Sequence, residues 1–374
     1  ETSRNLDLNN DGAIGLPYTP GSVNINGLNL GSSPLGYAIK ASTAAPLVIT
    51  LNGVPVTASN PGGGWTPLSA VPLSPSATDL YWRQGTSALY SRWTLNAEGA
   101  HIASELLSER QIYEQESSRR LDLNIDGVIG LPFTPGPVTL NGVNLGSSPL
   151  GHAIKTGTAA PQLITLNGNP TSANFPGGGW TPLSAIPLSP TSTALFWRQG
   201  ENEIYSRWTL NGEGAHSGSE LLTARQFYEQ ESSRQLDLNN DATIGLPYSA
   251  GPNTINGLNL GTTPIGYAFR GANGAPVPIT FQGTPASASS PGGGWSALAI
   301  AAATPTTHAL YWQQASSRQV ARWTLNASSG ALISSTLLSP DQLHQGGLGD
   351  DLLIGASGPD TFSFRTGEIG RAHV

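Results

Sequence analysis

The sequence predicts a β-rich α+β protein of three tandem units, each an antiparallel sheet with one helix. Three observations carry this. Landmark residues recur every 115 positions: Asp7, Asp122 and Asp237; Trp65, Trp180 and Trp295, each closing PGGGW; Trp82, Trp197 and Trp312; Trp93, Trp208 and Trp323. Short apolar alternations separated by Gly and Pro fill most of each interval. One stretch per interval lacks Gly and Pro and has helical apolar spacing.

The second copy shows the elements in order. TLNGVNLG and GHAIK read as short strands, and PQLITLNG as a clearer one with Ile164 and Leu166 on one face. NFPGGGW is a turn that delivers Trp180 to the core. WTPLSAIPLS is extended but interrupted by proline, which predicts an edge or bulged strand. TALFWRQGENEIYSRWTLN reads as a hairpin. SELLTARQFYEQESSRQ reads as an amphipathic helix starting near Ser219, and the next unit follows. The expected segments are 1–18 (helix end and acidic loop), 19–118, 119–133 (junction), 134–233, 234–248 (junction), 249–343, 344–366 and 367–374. The last resembles translated sequencing adapter and is set aside, and the start at Glu1 reads as that of a fragment.

Composition narrows the function classes. Of 374 residues 46 are Gly and 29 Pro, yet 38% are hydrophobic and nine are Trp, so the chain is expected to fold. Net charge is −7 and Lys40 and Lys155 are the only lysines, which argues against nucleic acid as a partner. No cysteine is present, excluding disulfides and thiol chemistry. No apolar run is long enough to form a transmembrane segment. The histidines do not recur through all three units: His101 and His216 correspond, but the third unit has Ala331 or Leu332 there. They are expected at the surface. No G-x-S-x-G elbow occurs, and Asp79 and Glu98 do not recur, so no catalytic constellation is supported.

The strongest chemical signal is RLDLNIDGVIG. Asp122, Asn124 and Asp126 alternate before Gly127, like the first half of an EF-hand calcium loop, with the Val128 carbonyl at the seventh position. Asp7, Asn9, Asp11 and Ala13 repeat the set, as do Asp237, Asn239, Asp241 and Thr243. Ile14, Ile129 and Ile244 are expected to anchor the loops in the core. The twelfth-position glutamate is missing; Phe133 stands there. Glu1, Glu116 and Glu231, six residues before each first Asp, are candidates to fold back and complete the site. Ala242 replaces the loop glycine in the third set, which predicts a weaker or distorted site.

Two resemblances follow. LYWRQG and YSRWTLN, then a helix, then E-x5-DLNxDGxIG, resemble the tryptophan-rich repeat family near the C-termini of large bacterial secreted proteins, over nearly the whole chain to Leu338. GGLGDDLLIGASGPDTFSF resembles the hemolysin-type calcium-binding nonapeptides of RTX proteins. Gly346, Gly347, Gly349 and Asp351 fit the first nonapeptide; Gly355, Gly358 and Asp360 fit the second. This resemblance implies a short turn of parallel β-roll, calcium bound by Gly347, Gly349, Asp351, Gly358 and Asp360, and type I secretion. The resulting expectation is a non-enzymatic, calcium-binding structural or adhesive array, extracellular or on a bacterial cell surface. Surface glycans or self-association are its candidate contacts. The alternatives are a carbohydrate-binding module using exposed aromatics such as Trp82, and the C-terminal secretion region of a larger enzyme or toxin.

Overall fold

The computed structural model describes residues 7–8, 14–200 and 204–339. Glu1, Asn9, Asp11, Ala13 and the nonapeptide residues Gly347, Gly349, Asp351, Gly358 and Asp360 lie outside them. The chain forms two compact units. Among the described residues, one runs through Phe196 and includes Trp208–Ser219; the other comprises 197–200, 204–207 and 220–339.

The expected α+β class is not what forms. Among the described residues are thirty strands in nine antiparallel sheets and two helices of 11 residues each. The fold is almost entirely β. Nor does each copy carry a single sheet. The first copy has a four-stranded meander, β1 (Thr19–Ile25), β2 (Leu28–Ser33), β3 (Gly36–Ala41) and β4 (Leu47–Val48). A two-stranded ladder follows, β5 (Thr50–Leu51) and β6 (Val54–Pro55). Then comes a second meander, β7 (Trp65–Ser74), β8 (Ala77–Gln84), β9 (Leu89–Asn96) and β10 (His101–Ser108), and helix α1 (Glu109–Arg119).

Local chemistry explains the division. Asn26-Gly27 and Asn52-Gly53 take positive φ at both residues, which makes tight hairpin turns matching strand twist. They separate β1 from β2 and β5 from β6. The strand expected over PQLITLNG is two: Gln162–Leu163 pairs in one sheet and Thr165–Leu166 in another, with buried Ile164 between them. Asn29 holds the bulge in β1, its amide accepting from the Gly21 N–H and donating to the Gly21 and Val23 carbonyls. The proline-interrupted segment behaves as its sequence predicts. β7 is an edge strand whose register slips between Pro67 and Ser69 and between Pro72 and Ser74.

The second meander is buried on both faces. On one, Trp82, Trp93, Leu80, Leu95 and Ala70 pack against Leu28, Leu30, Ile39, Ile49 and Val56 of the first meander region. On the other, Val71, Tyr81, Tyr90 and Leu107 pack against Ile112, Tyr113 and Leu123 of the helix and junction. A strand covered on both sides reads as a continuous apolar run, and Leu80, Tyr81 and Trp82 are all at most 1% exposed. His101 is not a free surface residue: its ring meets Trp93 edge-on at 4.7 Å.

The helix begins later than its apolar pattern predicts. Ser219 to Thr223 belong to a strand, and Leu221 is exposed. Thr223 caps the helix Ala224–Arg234 (α2) through a reciprocal box with Gln226, as Ser108 does with Gln111 for α1.

Asp79 is 1% exposed and specific to the first copy; Ala194 and Ala309 replace it in the others. It is compensated by Arg119 at 2.9 Å, by a hydrogen bond from Thr94 and by Arg92 at 3.9 Å. Removing only the cation strands a buried charge. Arg119→Ala is therefore expected to destabilise by about 2–4 kcal/mol in urea titration. Asp79→Ala should cost less than about 1 kcal/mol, and the double variant should recover most of the loss.

Candidate functional site: the acidic junction loops

Two junction loops follow the helices, at 120–130 in the first compact unit and 235–245 in the second. Each helix ends on a left-handed residue, Arg120 (φ 56°) or Gln235 (φ 55°), whose N–H bonds the carbonyl of Glu116 or Glu231. The chain then turns back over the last helical turn.

Within the loop the acidic side chains accept backbone amides. Asp122 Oδ1 accepts from Asp126 N–H at 3.2 Å and Oδ2 from Gly127 N–H at 3.0 Å. Asn124 Oδ1 accepts from Asp126 N–H at 2.9 Å, and Asp126 Oδ1 from Val128 N–H at 2.8 Å. Asn124 Nδ2 donates to Asp126 Oδ2 at 3.0 Å. These nested turns draw Asp122, Asn124 and Asp126 into one coil. The second loop repeats the pattern bond for bond, with Asp237, Asn239 and Asp241 in the same roles.

Ala242 does not distort it. Its N–H bonds Asp237 Oδ2 at 2.9 Å, as Gly127 does with Asp122, and it accepts φ 68° where Gly127 has 87°. A Cβ built on Gly127 meets nothing within 4 Å, so alanine is tolerated sterically and pays only for its left-handed backbone.

Glu116 and Glu231 have a different task from the one expected. Both are fully buried. Glu116 Oε1 accepts the Leu123 and Asn124 amides, each at 3.0 Å, and Oε2 accepts the Gly130 amide at 3.1 Å. Glu231 does the same with Leu238, Asn239 and Gly245. Each carboxylate clamps the two ends of its loop instead of turning toward the acidic cluster. Burial pushes both carboxyls up to about 7, against the opposing pull of the amide donors. The signal was present: Glu116 and Gly130, like Glu231 and Gly245, are spaced 14 residues apart, as are Glu1 and Gly15. Gly130 has φ 86°, and a Cβ there would lie 2.3 Å from Ser117 Oγ, so a larger residue would have to displace that hydroxyl.

The anchor is also a different residue. Ile14, Ile129 and Ile244 are 50%, 55% and 51% exposed. Leu123 and Leu238, one position after the first Asp, are 0% exposed instead. The Leu123 carbonyl accepts a 2.7 Å bond from Ser69 Oγ, tying the loop to β7.

The donor set consists of hard oxygens: two carboxylates, the Asn124 amide oxygen and the Val128 carbonyl. That chemistry suits Ca²⁺ and not a softer metal. Among the described residues no three Asp, Glu or His side chains converge as a metal cage. The set thus falls short of the usual six to eight ligands unless water completes it.

No protein-family model matches the chain, and no curated protein does. Solved structures match only remotely. Apo prolyl oligopeptidase B from Galerina marginata shows 9% identity and a TM-score of 0.18, over 87% of this chain and 44% of that one. The Dos1 propeller shows 8% and 0.16, over 84% and 68%. Aleuria aurantia lectin with alpha-methyl-L-fucoside shows 9% and 0.13, over 84% and 91%. The chain spans less than half the length of the first of these, and superpositions at this level define no shared fold.

Two outcomes follow from the clamp and the turn. Glu116→Gln keeps one acceptor oxygen but sets an NH₂ against the Gly130 N–H. A loss of about 2–3 kcal/mol is expected by denaturant titration, with or without calcium. Ala242→Gly relieves the left-handed alanine and should stabilise the second loop by up to about 1 kcal/mol, read as a higher melting temperature.

Proposed function

We propose that the chain is a non-catalytic, extracellular calcium-binding array of a bacterium, in which the junction loops are weak Ca²⁺ sites that hold each helix against the copy that follows. One observation carries the reading. Two loops 115 residues apart fold their Asp, Asn and Asp side chains into the same coil, down to each hydrogen bond. Asp122, Asn124, Asp126 and the Val128 carbonyl would hold the ion in one, and Asp237, Asn239, Asp241 and the Thr243 carbonyl in the other. A bound cation would neutralise the paired carboxylates and oppose opening of the coil.

With Glu116 and Glu231 engaged elsewhere, each site offers two carboxylates. That favours an affinity of about 10⁻⁴–10⁻³ M, the range of extracellular modules. The nonapeptide resemblance from Gly346 to Phe362 supports the calcium reading from sequence alone. No helix among the described residues is long and apolar enough to cross a membrane. The glycan alternative loses its proposed contacts, because Trp82, Trp197 and Trp312 are each 1% exposed.

Calorimetric unfolding of the full chain tests this. Calcium at about 100 times the dissociation constant should add about 2.7 kcal/mol per site. Asp122→Asn with Asp237→Asn should abolish most of the gain, while magnesium gives little. An unfolding midpoint insensitive to about 10 mM calcium would overturn the proposal.

A further inference from the structure

The second meander of each copy ends on an edge strand: β10 (His101–Ser108) in the first and Leu332–Leu338 in the third. Among the described residues no strand pairs with its outer side. The outer row of N–H and C=O groups on such a strand is a template for another strand, so edges are commonly blunted by proline, lysine, bulges or charge. The opposite edge of the meander follows that rule. β7 carries Pro67 and Pro72, and its third-copy counterpart, Trp295–Thr304, has Ala297 and Ala302 there but keeps both slips of register.

The edge strand Leu332–Leu338 has the least protection. LISSTLL contains no charge, proline or glycine, and its five central residues are exposed. Ile333 is 57% and Leu337 61% exposed. The one bulge lies at the start, between Leu332 and Ser334, so Ser334 to Leu338 run as a regular ladder on the neighbouring strand. The other copies keep one defence. Glu105 and Glu220 stand on their edge strands, each ion-paired at 3.2 Å to Arg92 or Arg207. Thr336 takes that place in the third copy, and Arg322, across from it, has no acidic partner among the described residues.

We propose that the chain self-associates through this edge, strand Leu332–Leu338 pairing antiparallel with the same strand of a second copy. The strand is complementary to itself. A two-fold axis at Ser335 sets Ile333 across from Leu337 of the second chain, and Leu337 across from its Ile333, as an isologous contact requires. It also sets Thr336 opposite Ser334, a hydroxyl pair that suits facing strands. The same pairing at β10 would bring two Glu105 side chains to diagonal positions about 7–8 Å apart, where like charges repel. Thr336 removes that repulsion, which singles out the third copy. Seven paired residues make a contact below the roughly 1,200 Å² of stable complexes, so a weak dimer is expected, with a dissociation constant of about 10–100 μM.

The test is sedimentation velocity of the full chain from about 1 to about 500 μM, a range that brackets this affinity. A shift from monomer to dimer is expected, with slower amide exchange within Leu332–Leu338 as concentration rises. Thr336→Glu restores the residue of the other copies and should weaken the dimer at least about tenfold, as should Leu337→Asn. Leu106→Asn makes the same change on β10 and should leave the dimer unaltered. All three positions are exposed, and a melting curve checks that each variant folds. The dimer should persist in EGTA, so that failure of the calcium sites and failure of this edge are told apart. A chain that stays monomeric to about 500 μM overturns the proposal. So does an undiminished dimer in Thr336→Glu, an equal loss in Leu106→Asn, or dissociation by EGTA alone.

Discussion

A buried carboxylate holding three backbone amides is the interaction on which each junction depends. When a helix ends on a left-handed residue and the chain doubles back, several N–H groups lose their helical and sheet partners together. Orphaned in a dry interior, each would cost more than a typical hydrogen bond is worth. Glu116 meets three of them with one side chain, two near the loop's start and one at its end. This fixes Leu123 in the core and brings its carbonyl to Ser69, so the loop is attached to the sheet before any ion is considered. The same position is unfavourable for a carboxylate by helix-dipole reasoning. Three charge-assisted bonds outweigh a term of at most 1–2 kcal/mol, about half of which is typical near solvent.

The clamp has a consequence for the sheet. Because helix and loop are held down, the second meander is covered on both faces, and residues that alternate across it are all core. Trp82 looks toward the first meander while Tyr81 looks toward the helix, donating to Gln115 at 2.8 Å. Burial pushes the Tyr81 hydroxyl up to about 12. The tryptophans that mark the repeat most clearly are therefore largely packing residues. Trp295 and its counterparts, which arrive from a glycine turn and not from mid-strand, retain partial exposure.

What was legible in the sequence was periodicity. The 115-residue interval identified the copies, the proline-broken edge strand and the hairpin carrying Trp82 and Trp93. The error in class arose because helix was inferred from spacing over SELLTARQFYEQESSRQ, whose first third continues a strand. Thr223 and Gln226 form the capping box that marks the true start. The division into two meanders was also written locally, in Asn26-Gly27 and Asn52-Gly53, the strongest short hairpin signal. Ile164, between two sheets, could not be placed by alternation, since both of its neighbours are paired in different ladders.

The site was half legible for a related reason. Residue types and spacing identify which oxygens an acidic loop carries, but not which donors compete for them. Asp122, Asn124 and Asp126 emerged together because each satisfies amides one turn away, a local matter. Glu116 did not join them because its partners include Gly130, brought near by a fold-back that spacing alone does not describe. Ile129 illustrates the same limit: an apolar residue beside a turn looks like an anchor until the turn's direction is known, and here Leu123 takes that place. Ala242 shows how far the local part suffices. Its loop keeps every bond of the glycine version, so the hydrogen-bond pattern, and not the permissive residue, sets the coil.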